Sequence, residues 1–170
     1  VRRIIVPEDL IDDVQTALSS RLAKQTIGDP SNETVRMGAL ASHLQVERVK
    51  ENVNILKQEQ EIVYGDMDNF NVVGADKNKG AFFSPILFRN NEPHKFVKVH
   101  ETECFGPVST LMPYKDIDDA VKLARMGKGS LVSSIITADD KIAMDYVVNA
   151  ASMHGRILVL NERCAKESTG

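Results

Sequence analysis

Apolar positions recur along this chain in two rhythms, and the change of rhythm marks its elements. Arg2–Val6 (RRIIV) is short, β-branched and closed by Pro7, which predicts a buried strand. From Glu8 the spacing lengthens. Leu10, Ile11, Val14, Ala17, Leu18 and Leu22 keep the interval of one helix face, with Asp and Glu crowding the first turn where they suit the helix dipole. Thr26–Met37 is rich in Gly, Pro, Asp and Asn and reads as a surface loop. Ser42 predicts the start of a second helix, with Gln45 as its capping-box partner and Val46, Val49, Val53 and Leu56 as its buried stripe. Between Glu61 and Asn91 the pattern breaks up. The EIVY and SPILF runs there predict antiparallel excursions or strands laid on the surface.

Beyond that point the alternation is regular. Val108–Met112 predicts a strand, and Asp116 caps a helix carrying Ile117, Ala120, Val121 and Ala124. Gly127 and Gly129 stop that helix, and Leu131–Thr137 predicts a strand of mostly buried character. Asp139 caps a helix with Ile142, Tyr146, Val147, Ala150 and Ala151. Gly155 is expected to end it, before a last strand over Ile157–Leu160. Strand–helix–strand–helix–strand predicts one α/β domain over residues 1–170, a mainly parallel sheet with helices on both faces and right-handed crossovers. Such sheets place ligands outside the carboxyl ends of their strands, here the turns after Val6, Met112, Thr137 and Leu160. Asn161 stands at one of these, although satisfying a turn is the simpler role for it.

Composition narrows the classes. Apolar residues make up 42% of the chain and charged residues 26%, with a net charge of −3. These are the values of an ordinary globular protein. Lys and Arg form no block or aromatic-interleaved stripe, so a nucleic-acid footprint is not expected. No apolar run approaches a membrane span, and Val1-Arg-Arg3 does not open a signal peptide. Cys104 and Cys164 are too few for a disulfide framework and too far apart for a zinc or redox motif, so both are expected as free thiols in the cytoplasm. A start at Val1 without Met suggests a fragment or a processed product.

The densest chemistry lies in His100–Val108 (HETECFGPV). Cys104 has the residue type of a nucleophile, but an adjacent carboxylate raises a thiol pKa, and His100 lies four residues back in what reads as extended chain. A structural thiol is the competing reading. Glu101 and Glu103, two apart on a strand, would share a face as an acid/base pair or a cation site; more commonly such pairs are solvated. Glu103 alone, before a Gly-Pro turn, could accept hydrogen bonds from a sugar diol. His43, His94, His100 and His154 show no metal-ligand spacing, and no metal site is expected. The glycines form neither dinucleotide nor phosphate loop, and Ser133 and Ser134 lack a nucleophile elbow.

Glu103-Cys-Phe-Gly-Pro-Val108 resembles the E-x-F-G-P-V signature of the aldehyde dehydrogenase superfamily. Arg2–Val6 resembles the strand that follows that family's catalytic cysteine. Ile27-Gly-Asp-Pro30 with Met37-Gly-Ala-Leu40 resembles its GDP…GP loop, Ala39 standing where Pro is usual. Gly80–Leu87 (GAFFSPIL) resembles the strand leading to the signature, with Ser84 where Thr is common, and Val159-Leu-Asn161 matches its tail. His154–Asn161 (HGRILVLN) and Ala165–Gly170 (AKESTG) are similar to the aldehyde dehydrogenase part of bifunctional ring-cleavage proteins of phenylacetate breakdown.

The resemblance implies NAD or NADP as cofactor, and an aldehyde substrate that could be a CoA-linked semialdehyde. It implies Glu103 at the nicotinamide ribose hydroxyls, Phe105 beside the nicotinamide ring, and Gly106 and Pro107 shaping the turn. It also implies a homo-oligomeric parent enzyme whose nucleophilic cysteine, base and nucleotide-binding domain lie upstream of Val1, so that these residues alone are expected to be inactive. The alternative is a free-standing α/β binding or assembly module without catalysis.

Overall fold

Residues 1–167 are described in a computed structural model of the chain; they divide into two compact units, the first Val1–Pro113 and the second beginning at Tyr114. The Ala165–Gly170 resemblance runs past them, and its residues 168–170 lie outside the described residues.

In the first unit, side-chain alternation along a central strand sets the layers. Strands β1 (Arg3–Pro7), β2 (Glu61–Tyr64), β3 (Ile86–Arg89) and β4 (Val108–Tyr114) form a sheet in the order β1-β4-β3-β2. β3 and β4 run parallel with Ile86 opposite Val108, and β2 runs antiparallel to β3 with a bulge between Ile62 and Tyr64. Because successive strand residues point to opposite faces, Ile86 and Phe88 join Val108 on one side, while Leu87 joins Val6 and Leu111 on the other. Helix α1 (Ile11–Leu22) covers the Leu87 face with Val14, Leu18 and Leu22. Helix α2 (His43–Leu56) covers the Phe88 face with the fully buried Val49 and Val53 and with Leu56. Each such side chain contributes about 1.5–3 kcal/mol by leaving water. The α/β sandwich with helices on both faces is therefore present, and the EIVY run supplies the expected antiparallel excursion.

The N-caps follow the sequence, but the capping box expected at Ser42 is only half formed. The Gln45 side chain donates to the Phe105 carbonyl instead of turning back to the Ser42 amide. Ser42 is extended and its hydroxyl accepts the Gln45 amide at 3.2 Å. Pro7 closes β1, but a 3-10 turn over Glu8–Leu10 precedes α1, so the first α-helical residue is Ile11 and not Glu8.

A single helical turn, α3 (Lys98–Glu101), lies in the first unit, and the second unit holds α4 (Ile117–Met126), β5 (Ser130–Ile136), α5 (Asp140–Ala150), β6 (His154–Leu160) and α6 (Glu162–Glu167). Asp116 accepts the Asp119 amide at 2.8 Å, and Asp139 accepts those of Lys141 and Ile142 at 2.8 and 3.2 Å. β5 and β6 pair in parallel around α5 as a two-stranded sheet of their own, hydrogen-bonded separately from the first. Two expectations fail here. Leu131–Thr137 is not buried: Leu131 is 88% and Ile136 80% exposed. α5 covers only one face of the pair, meeting it where the Ser133 hydroxyl contacts the Tyr146 hydroxyl. Gly155 does not stop α5, which ends at Ala150 and passes through a 3-10 turn over Ala151–Met153; Gly155 lies inside β6. Its Cα runs close to the Leu131 carbonyl, where a Cβ would come to 3.0 Å.

Candidate functional site

The segment before β4 is not the strand that its alternating residues suggest. Lys98–Glu101 forms one helical turn, α3, and Thr102 breaks it. Glu101 and Glu103 therefore do not share a strand face, and the paired-carboxylate reading falls. His100 is buried within that turn. Its Nε2 donates to the Pro93 carbonyl at 2.9 Å, which leaves Nδ1 to accept from the Arg3 guanidinium at 3.0 Å. Burial, above all, pushes the imidazole below its usual pKa; Arg3 and Arg2 add to the effect, and the Pro93 carbonyl opposes it. His100 ties α3 to β1 and is not in a position to activate a thiol.

Residues 103–105 alternate out of and into the core. Cys104 points inward among Val49, Val53, Phe83, Phe88 and Val108. Burial pushes its thiol up to about 11, with Arg2 opposing and Glu103 adding to the rise. A thiolate is the reactive form, so Cys104 is an anchor and not a nucleophile. Glu103 and Phe105, on either side of it, are exposed, Phe105 by 73%. Phe105 has φ 52°, in the left-handed region that costs a residue with a Cβ roughly 1–2 kcal/mol.

Helix α2 meets this loop along one stripe. Gln45 Nε2 donates to the Phe105 carbonyl at 2.6 Å and Asn52 Nδ2 to the Glu103 carbonyl at 3.2 Å. Between them, Gly106 lies against Val49, where a Cβ would fall 2.7 Å from Val49 Cγ2. On the far side the Ile86 amide donates to the Pro107 carbonyl at 2.9 Å, pinning the loop to the start of β3. The segment thus sits at the amino ends of the parallel strands β3 and β4, and not at the carboxyl end of β4 after Met112.

The two exposed side chains offer a hydrogen-bond acceptor and an aromatic face side by side. Glu103 offers an acceptor-only carboxylate of the kind a vicinal diol can donate to twice. Phe105 offers a free aromatic face one residue beyond the buried Cys104. Asn161, the other position weighed from sequence, has a local role: its Oδ1 accepts the Cys164 amide at 2.9 Å and caps α6. Sequence reasoning missed Gln45 and Asn52 as partners of the loop. The helical interval of Gln45, Val49 and Asn52 was there to read, but only the fold brings the loop against it.

The aldehyde dehydrogenase family model matches residues 1–167, and the chain belongs to that family. It is 37% identical over 170 residues to 3,4-dehydroadipyl-CoA semialdehyde dehydrogenase of Aromatoleum evansii, covering all of this chain and 33% of that protein. It is 41% identical over 135 residues to Protein MaoC of Klebsiella aerogenes, covering 79% of this chain and 38% of that one. Betaine aldehyde dehydrogenase of Staphylococcus aureus, solved in complex with NAD+, shares the fold with a TM-score of 0.82 at 23% identity, over 92% of this chain and 30% of that one. The chain therefore spans about a third of the length of these proteins. Among the described residues no helix is long and apolar enough to cross a membrane, and no group of three or more His, Cys, Asp and Glu could hold a metal ion.

Proposed function

We propose that this chain forms the cofactor-facing part of an NAD(P)-dependent aldehyde dehydrogenase acting on a CoA-linked semialdehyde. The observation that carries the reading is the outward display of Glu103 and Phe105 on either side of a buried Cys104, in the segment that resembles the family signature. Glu103 holds the ribose hydroxyls and Phe105 flanks the nicotinamide ring. The cofactor, when bound, supplies the hydride acceptor. Gly106 and Pro107 keep the loop's path fixed, so the two side chains are oriented before any ligand arrives. The CoA-linked substrate is supported by the 37% identity that runs the length of the chain to the Aromatoleum evansii enzyme.

The nucleophile in this reading is a cysteine other than Cys104, whose thiol is buried and hard to ionise. A thiolate elsewhere in the enzyme adds to the aldehyde to give a thiohemiacetal, whose hydride would pass to the bound nicotinamide cofactor to leave a thioester. Water then cleaves that thioester to release the acid and the thiol. The 170 residues by themselves are accordingly expected to oxidise no aldehyde.

The native gene product provides the test. Glu103→Gln should raise the dissociation constant for NAD+ or NADP+ about tenfold, the loss expected for a charge-assisted hydrogen bond, while Cys104→Ser should keep most of the turnover. Unchanged cofactor binding in Glu103→Gln, or turnover abolished in a folded Cys104→Ser, would sink the assignment.

A further inference from the structure

We propose that one stripe of α2, made of Gln45, Val49 and Asn52, is the positioning element that fixes the presentation of Glu103 and Phe105. The inference rests on the reading of that loop as cofactor-facing and extends it to residues that need not touch the cofactor. The three positions are spaced by four and three residues, so they lie one above another on a single helix face. They engage the loop at residues 105, 106 and 103. Gln45 takes the Phe105 carbonyl at 2.6 Å, Val49 receives Gly106, and Asn52 takes the Glu103 carbonyl at 3.2 Å.

Two features make this more than incidental packing. Both hydrogen bonds go to main-chain carbonyls, and these belong to the two residues whose side chains point outward. The side chain between them, Cys104, points inward against Val49 and Val53 of the same helix. The loop is thereby held by α2 at alternate residues, inward by side chain and laterally by backbone. The second feature is the positive φ of Phe105. A conformation that residues with a Cβ avoid persists where its surroundings over-determine it, and the Gln45 amide is the donor on that residue's own carbonyl. Releasing it frees Phe105 to return toward ordinary backbone angles, which would swing the ring and the Glu103 carboxylate away from their shared outward display.

Gln45→Glu is the sharpest variant, because an ionised Glu keeps the size but can only accept, and so confronts the Phe105 carbonyl without a donor. Asn52→Ala removes the second bond, and Glu47→Gln, at an exposed neighbour on α2, serves as the control. In the native gene product, hydrogen exchange read by mass spectrometry should rise in the peptide containing residues 103–108 for Gln45→Glu and Asn52→Ala, and stay at the parent level for Glu47→Gln. The NAD+ dissociation constant should rise about fivefold in Gln45→Glu, the equivalent of one lost amide–carbonyl bond. The turnover number at saturating cofactor should change less, a split that a general loss of folded protein would not give.

Parent-level exchange and parent-level NAD+ affinity in both loop-facing variants would overturn the inference. Failure of the unmutated protein to bind NAD+ or NADP+ would instead overturn the proposed function, with the exchange comparison still deciding whether α2 sets the loop.

Discussion

Cys104 and His100 are the residues whose types most suggest chemistry, and the fold uses both as internal fittings. What separates them from reactive groups is water. Each is buried, and burial works against its charged form: it raises the thiol and lowers the imidazole. For His100 this has a measurable consequence. The unfolded chain takes up a proton near the ordinary histidine pKa of about 6.5, whereas the folded chain resists it to a lower pH. Between those values the unfolded state binds more protons, so stability rises with pH through the window. The contribution is complete above the unfolded value and is lost as the pH falls through the lowered folded one. The thermal midpoint should therefore drop as the pH is taken below about 6.5, and His100→Gln should flatten that drop while lowering the midpoint above it. Parallel curves for the two proteins would mean that His100 titrates alike in both states.

At the scale of elements, prediction from pattern succeeds where local chemistry decides and fails where a partner decides. Ser42, Asp116 and Asp139 each cap the helix they were expected to open, because a cap is a contact within four residues. The E-x-F-G-P-V segment could be picked out only by its resemblance to the family signature, and its role in positioning a cofactor is the proposal made above. The turn of helix at Lys98–Glu101 and the strand around Gly155 were not evident. α3 is tied down by the Arg3–His100–Pro93 contacts, and Gly155 is accommodated by close approach to Leu131; both depend on residues distant in sequence. The union of α2 with the loop is of the same kind and can be probed by coupling. Gly106→Ala places a methyl within 2.7 Å of Val49 Cγ2 and should cost about 1–3 kcal/mol in denaturant unfolding. Val49→Ala, destabilising alone, should make the glycine substitution cheaper, by roughly 1 kcal/mol or more in a double-mutant cycle. Strict additivity of the two would separate the helix from the loop.

For the whole molecule, the pattern gave the right class and the wrong continuity. One parallel sheet was expected, and two are found, a four-stranded sheet covered on both faces and a β5–β6 pair covered by α5 on one face. The run Leu131–Thr137 is apolar enough to be read as buried, and periodicity cannot tell a strand that is covered from one that awaits cover. The chain corresponds to about a third of the length of the proteins it matches. Leu131 at 88% and Ile136 at 80% exposure, five residues apart and so on opposite faces of β5, are separate exposed apolar side chains of the kind that bind apolar probes. The isolated chain should enhance the fluorescence of anilinonaphthalene sulfonate in its native state. Leu131→Lys with Ile136→Lys should remove about half of that signal or more, since the two residues dominate the exposed apolar surface of β5. Far-ultraviolet circular dichroism should remain unchanged, because neither side chain packs against α5 tightly enough to be buried. An undiminished dye signal in the double variant would place the apolar surface elsewhere and leave β5 covered in solution.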